Sequence, residues 1–319
     1  MERAECGWQQ EGMTAADNSG PRTDWSYALI TAAYNERQYL EQTIQSVISQ
    51  TIRPTKWVIV SDGSTDGTDE LVRRYVRLFP FVQLCRIETL HRRDFASKVY
   101  ALNEGATHVQ PTTTQYIGHL DADVTFGSDY YATLLSKFER DPGLGVAGGS
   151  IYEWNGTAYS PRHLNTTRSV AGAIQMFRQE CYQSLKGFKP LKYGGEDWCA
   201  EVTARMNGWR VESFTDLEVY HHRLTGSATG FFRNCYRQGL MDFSLGSHPL
   251  FEVVRVSRRL TTRPPVIPAL IRLAGFLAGY FGQEERPVSG QFLKFLRKEE
   301  MARLRQMMQC RQWPPVSAR

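Results

Sequence analysis

The feature that most constrains this chain is an alternation that begins at Trp25. A short apolar run is followed by a stretch with apolar residues at helical spacing, and then by another apolar run. "YALITAAY" reads as a buried strand, and "QYLEQTIQSVISQ" places Leu40, Ile44, Val47 and Ile48 on one helical face. "KWVIVS" is a second strand, cut off by the turn sequence "DGSTDGT". "DELVRRYVRLF" then spaces Leu71, Val72, Tyr75, Val76 and Phe79 as an amphipathic helix, with Ser64 or Thr65 the expected N-cap. "VQLCRI", "ASKVYALNEGATHV" and "QYIGHL" repeat the cycle. Strands separated by helices of this length need right-handed crossovers, so the chain should form an α/β fold with a mostly parallel sheet covered on both faces. Ligands of such sheets sit beyond the carboxyl ends of the strands.

After about residue 140 the pattern becomes mixed. "LGVAGGSIYEW" reads as a strand whose glycines admit a close backbone neighbour. "AIQMFRQECYQSLKGF" reads as strand, short helix and glycine stop, and "GGEDWCAEVTARMNGWRVES" as flexible turn, helix and strand entry. "DLEVYHHR" is a further strand ending in two histidines. Beyond about Phe251, "PPVIPALIRLAGFLAGYFG" is almost wholly apolar, yet its prolines and short length argue against a spanning helix. "RVSRRLTTR" precedes it and the amphipathic "SGQFLKFLRKEEMARLRQMM" follows it. This tail either lies in a membrane interface, with its arginines toward anionic headgroups, or packs as helices on the main domain.

Composition narrows the function classes. A net charge of +5 over 319 residues, without long blocks of like charge, does not point to nucleic acid. The six cysteines form neither a disulfide framework nor a close metal-ligand pair, which favours a reducing, cytoplasmic location. Residues 1–24 are polar, lack the apolar segment of a signal peptide, and are expected to be a poorly ordered lead-in.

Polar residues gather where strands should end: Tyr34, Asn35 and Glu36 after the first, Asp62 after the second, Asp121 and Asp123 after "QYIGHL". Two carboxylates one residue apart repel each other unless a cation lies between them. Magnesium and manganese take oxygen ligands of this kind together with substrate phosphates. Each residue also has an ordinary structural use: Asp-x-Asp as a turn, Asp62 as an Asx-turn, Glu36 as a helix-start acid, Lys98 as a solvated lysine. Their placement on one edge of one sheet favours a shared site. Glu196 and Asp197 follow two glycines at a helix start, where a carboxylate could serve as a general base. His221 shares strand parity with Leu217 and Val219, so it should point inward and could complete a metal shell, with His222 a rival.

Taken in order, "ITAAYNE", "VIVSDGSTDGT", "HRRDFASKVYALNEGA", "IGHLDADV", "GGEDWCAEVTARMNGWRV" and "LEVYHHR" resemble glycosyltransferase family 2, from roughly Tyr27 to Arg237. The resemblance implies the GT-A fold, a Rossmann-like sheet flanked by helices, and inverting sugar transfer from a nucleotide sugar. Residues 25–250 would form that domain, with 25–125 the donor-binding half, 126–250 the acceptor and catalytic half, and 251–319 a helical tail. By the same resemblance Ala33, Tyr34, Asn35 and Glu36 line the nucleoside pocket, with Ala33 standing where proline is frequent. Asp62 accepts from the base or ribose, and Asp121 and Ala122 lie toward the ribose and diphosphate. Asp121, Asp123 and His221 hold manganese or magnesium, Lys98 faces the diphosphate, Asp197 is the base and Glu196 supports its loop.

No Gln-x-x-Arg-Trp signature of processive synthases is present, so a single addition is expected. The donor would be a UDP- or GDP-sugar and the acceptor a saccharide or lipid-linked saccharide of a bacterial surface polymer. A tail that binds lipid would place the enzyme peripherally on the inner membrane face. Two rivals are a non-catalytic membrane-associated scaffold and a sugar nucleotidyltransferase. The second normally has a glycine-rich loop after its first strand, which "AAYNERQ" lacks.

Overall fold

A computed structural model describes residues 24–88, 94–154, 156–162, 166–223, 230–258, 266–282 and 284–309. The lead-in except for Asp24, the 91–93 part of the "HRRDF" stretch, most of "RVSRRLTTR", and Cys6 and Cys310 lie outside those residues.

The first half repeats a strand–helix unit: β1 (Tyr27–Ala33), α1 (Leu40–Ile48), β2 (Lys56–Asp62), α2 (Thr68–Leu78), β3 (Val82–Ile87), α3 (Ala96–Thr107) and β4 (Tyr116–Leu120). β2 and β4 flank β1 in parallel, and β3 pairs in parallel with β2 at the sheet's edge. Buried on both faces, β1 is apolar at every position except Thr31, whose hydroxyl accepts the Trp57 indole N–H at 3.0 Å. Tyr27 and Leu29 enter one core with α1 and α2, while Ala28 and Ile30 enter a second core with α3.

The second half continues the sheet in mixed directions. It comprises β5 (Val124–Phe126), α4 (Tyr130–Arg140), β6 (Leu144–Trp154), β7 (Tyr159–Pro161), β8 (Ile174–Arg178), α5 (Gln179–Leu185), α6 (Glu196–Met206) and β9 (Arg210–His221). Among the described residues the order is β3-β2-β1-β4-β8-β6-β9-β5, with β7 paired to β6. β8 runs antiparallel to both β4 and β6, whereas β9 is parallel to β6 and antiparallel to β5. The two separate strand segments read from "GWRVES" and "DLEVYHHR" are one strand. A register irregularity in the β6–β9 pairing at Gly149/Ser150 lets it run on.

The expected N-cap of α2 is corrected. The helix begins after Gly67, whose φ is +91°, and Asp66 Oδ1 accepts the Thr68 N–H at 3.0 Å. The Ser64 hydroxyl is engaged elsewhere, accepting the Asn35 N–H at 3.1 Å, and Asn35 Oδ1 accepts the Thr65 N–H at 2.9 Å. The Ser64 hydroxyl and the Asn35 side chain thus tie the β1–α1 loop to the β2–α2 loop, and the bond at the helix start comes from Asp66 instead.

The remaining helices are α7 (Phe231–Leu245), α8 (Pro249–Arg258), α9 (Ile267–Phe281) and α10 (Gly290–Gln309). α10 buries Phe292 and Leu296 against Cys199 and Val202 of α6. Arg272, the one charged residue of α9, turns inward to Asp242 at 2.6 Å and to the fully buried Glu252 at 3.4 Å. The opposite face of α9 leaves Ile267, Leu270, Leu277, Tyr280 and Phe281 exposed. No helix among the described residues is long and apolar enough to cross a membrane.

Candidate active site

Three parallel strands end on one edge. β1 ends at Ala33, β2 at Asp62 and β4 at Leu120. Ala33 and Ala122 are buried in the first core, so only their backbone can face a ligand. Tyr34 is 42% exposed, and Asn35 takes a left-handed turn with φ +54°, bringing Glu36 to Thr68, whose hydroxyl accepts the Glu36 N–H at 2.9 Å. Asp62 is buried at the end of β2, two strands from β4.

Sheet register brings the histidines to the aspartates. Val124 pairs with His221 across β5–β9, and the next backbone contact runs from His222 N–H to Asp123 O at 3.0 Å. His221 Nε2 consequently lies 3.3 Å from Asp123 Oδ1. On its other side β6 places Glu153 level with His221, and Glu153 Oε1 is 3.9 Å from Nδ1. Burial alone would lower the imidazole pKa, but Asp123 and Glu153 override it and push His221 up to about 9. Both nitrogens of His222 are taken up elsewhere, Nε2 by Thr125 Oγ1 at 3.1 Å and Nδ1 by Tyr159 OH at 2.6 Å.

Arg223 follows directly. Its guanidinium bonds Glu36, lies 3.0 Å from Asp123 Oδ2 through Nε, and covers the Tyr39 ring at 4.9 Å. Burial alone would raise the Asp123 carboxyl; His221, Arg223 and Lys98 together hold it below the ordinary aspartate range. Glu36 goes the other way. Burial pushes it up to about 7, the Asp123 and Asp121 charges add to the shift, and Arg223 offsets only part.

Lys98, in the first turn of α3, donates to Asp121 Oδ1 at 2.5 Å. Burial opposes its charge, yet Asp121, Glu196 and Asp197 together keep it protonated above the ordinary lysine range. Lys98 thereby joins the Asp-x-Asp turn to the start of α6. Gly194 and Gly195 precede that helix with φ of +80° and +88°, a path that side-chain-bearing residues rarely follow. Asp197 Oδ1 accepts the adjacent Trp198 N–H at 2.8 Å. Asp197 also packs so closely on Gly172 that a Cβ there would lie 2.7 Å from Oδ2. Burial and the charge of Asp197 raise the Glu196 carboxyl.

Of the residues expected from sequence, Glu36, Lys98, Asp121, Asp123, Glu196, Asp197 and His221 thus form one electrostatically linked group. Tyr34, Asn35 and Asp62 line the same sheet edge from the side of β1 and β2. Sequence reasoning assigned no role to Glu153 or Arg223, although both stand at the ends of quoted strand segments. Their signal is the cross-strand register, which a single sequence does not carry. Arg237 of α7 was also missed. It donates to the Tyr193 carbonyl and lies 4.0 Å over the Phe95 ring, bracing the glycine turn before Glu196.

The donor atoms fit a hard divalent cation. Asp123 Oδ1 and His221 Nε2 are 3.3 Å apart, near the ~3 Å edge of an octahedron with ~2.1 Å bonds, and a carboxylate suits manganese or magnesium. For the imidazole to join it as a ligand, His221 must give up the proton that Asp123 and Glu153 hold on it.

Comparison with known proteins bears on the family and the fold. The family model of glycosyl transferase family 2 matches residues 28–195. Poly-beta-1,6-N-acetyl-D-glucosamine synthase of Staphylococcus epidermidis is 30% identical over 162 residues, and the match spans 50% of this chain but only 33% of that enzyme. Among solved structures, a mannosyltransferase from Pyrobaculum calidifontis in complex with GDP-Man and Mn2+ superposes with a TM-score of 0.54 at 19% identity, covering 90% of this chain and 83% of the other. S. aureus TarS 1–349 in complex with UDP-GlcNAc gives a TM-score of 0.53 at 15% identity, covering 85% and 78%. These likenesses establish the fold as GT-A, and the family match over more than half the chain establishes the lineage: this chain belongs to glycosyl transferase family 2.

Proposed function

We propose that this protein is a metal-dependent, inverting glycosyltransferase that moves one sugar from a UDP- or GDP-sugar to a hydroxyl of a saccharide or lipid-linked acceptor. The observation that carries the reading is the facing pair Asp123 Oδ1 and His221 Nε2, 3.3 Å apart, on the same sheet edge as Lys98–Asp121 and Asp197. The solved relatives hold GDP-Man with Mn2+ and UDP-GlcNAc, which supports both the donor class and the ion. The sequence relatives are synthases of poly-beta-1,6-N-acetyl-D-glucosamine, which supports a saccharide acceptor.

When bound, the cation supplies positive charge against the departing nucleoside diphosphate. Asp123 and His221 would hold it, with Asp121 beside them toward ribose and diphosphate. His222 is the poorer candidate because Thr125 and Tyr159 engage its ring. Lys98, kept cationic by three carboxylates, faces the diphosphate. Asp197 accepts the proton of the acceptor hydroxyl as that oxygen attacks the anomeric carbon from the side opposite the leaving group. Glu196 supports the base loop, and Arg237 fixes the turn before it. Tyr34, Asn35, Glu36 and Asp62 line the nucleoside pocket, with Ala33 and Ala122 contributing backbone. One displacement inverts the configuration.

The division of labour we propose follows the chain: 25–125 holds the donor, 126–250 presents the acceptor and base, and the tail from 251 meets a membrane on its cytoplasmic side. Support for that contact is the uncharged outer face of α9, where Phe281 is 85% exposed. The test is direct. A panel of UDP- and GDP-sugars with manganese should contain one that raises thermal stability and slowly releases nucleoside diphosphate, the freed sugar having inverted configuration. A protein that neither binds nor turns over any of them would be a scaffold instead.

A further inference from the structure

A second set of metal-ligating side chains lies on the opposite end of α3 from Lys98. Cys85 on β3 and Glu104 and His108 at the end of α3 bring a thiol sulfur, a carboxylate oxygen and an imidazole nitrogen within 4.8 Å of one another. Helix geometry puts His108 about 15 Å along the axis from Lys98, so this cluster is separate from the Asp-x-Asp site.

We propose that Cys85, Glu104 and His108 form a zinc site that staples the edge strand β3 to the end of α3. Both elements hold their ligands rigidly. Cys85 sits in the parallel ladder opposite Val60, and Glu104 and His108 are one helical turn apart, with His108 Nε2 3.7 Å from Glu104 Oε1. The helix can come this near the sheet because residue 105 is glycine: a Cβ there would lie 2.5 Å from Ile30 Cγ2. His108 is also oriented from behind. Its Nδ1 lies 3.2 Å from the Gln83 amide, and Gln83 shares the face of Cys85 two residues along β3. With the amide oxygen turned to an Nδ1–H, Nε2 is left free toward Glu104 and Cys85, as in metal-bound histidines backed by an acceptor.

The donor set selects the ion. A thiolate with one imidazole and one carboxylate suits zinc, three protein ligands leaving a fourth position for water, whereas the hard ions manganese and magnesium disfavour a thiolate. On binding, the Cys85 thiol gives its proton to solvent and the sulfur bonds the metal.

Cobalt(II) serves as a coloured stand-in for zinc on the full-length, chelator-treated protein. One equivalent should produce a thiolate-to-cobalt charge-transfer band, zinc should abolish it, and zinc should raise the melting temperature. Cys85→Ser should lose the band and the melting shift, while its melting temperature without metal and its manganese-dependent donor turnover stay at wild-type values. His108→Ala should weaken zinc at least tenfold, and Gln83→Ala by about tenfold. The proposal is overturned if wild type shows no such band at one equivalent, or if the band survives in Cys85→Ser and so arises from another cysteine.

Discussion

Replacing Asp197 by asparagine separates binding from chemistry at the proposed base. In the structure Oδ1 accepts the Trp198 N–H at 2.8 Å, a bond that the amide oxygen of asparagine can keep. The amide nitrogen then takes the place of Oδ2 over Gly172, and because its lone pair is delocalised into the carbonyl it cannot receive a proton. The structural cost is small, because losing a carboxylate in the first turn of α6 forfeits about 0.3–1 kcal/mol of helix-dipole interaction. Relief of repulsion on Glu196, which Asp197 helps to hold above its ordinary range, offsets part of that. The catalytic cost is larger: general-base assistance contributes typically about 10²–10⁴-fold, or about 3–5 kcal/mol of barrier. Donor affinity in manganese, read by calorimetry, should stay within about threefold of wild type, since Asp197 touches neither the proposed metal ligands nor the nucleoside loops. Nucleoside diphosphate release, with water or a saccharide as acceptor, should fall by at least about a hundredfold. Gly172→Ala provides an independent route to the same end, because its Cβ would lie 2.7 Å from Oδ2 and must push the carboxylate aside. Release at the wild-type rate in Asp197→Asn would refute the assignment, and loss in Glu196→Gln alone would transfer the role to that residue.

Three further outcomes are expected. Asp123→Ala should abolish manganese-dependent donor binding, leaving His221 with Glu153 as its carboxylate neighbour, and undiminished metal dependence in a donor titration would remove Asp123 from the ligand set. Glu201, buried on α6 and bonded to the Val170 N–H at 2.6 Å, is pushed up by burial to about 7. A raised pKa contributes stability that is complete below the unfolded value and lost as pH rises through about 7, an effect on the order of 3 kcal/mol; Glu201→Gln should flatten the decline in melting temperature between pH 5 and 8. Leu277→Asp with Phe281→Asp should free the protein from anionic vesicles in a sedimentation assay without unfolding it, because both side chains are exposed, and unchanged sedimentation would reject α9 as the membrane face.

The β–α alternation was legible because hydrophobic periodicity is local: a strand buried on both faces is apolar at nearly every position, and a covering helix must be apolar along one stripe. The same locality made the acidic loops visible, since parallel strands joined by helices deliver all their carboxyl ends to one edge. Capping was read less well. Ser64 and Thr65 have the chemistry of an N-cap, but the neighbouring loop claims the Ser64 hydroxyl and the Thr65 N–H through bonds spanning 29 and 30 residues.

The residue order alone therefore determined the parallel half of the sheet, its ligand edge and the acidic residues that stand there, because each follows from spacing within a few turns of chain. Only the tertiary structure decided the pairings. It set His221 rather than His222 against Asp123 through the β5–β9 register, and it drew Arg223 and Glu153 into the cluster. It also laid α3 against β3 so that Cys85 meets His108. These contacts join residues far apart in the chain, and their geometry depends on strand register and helix approach, which arise only when the sheet has closed around its core.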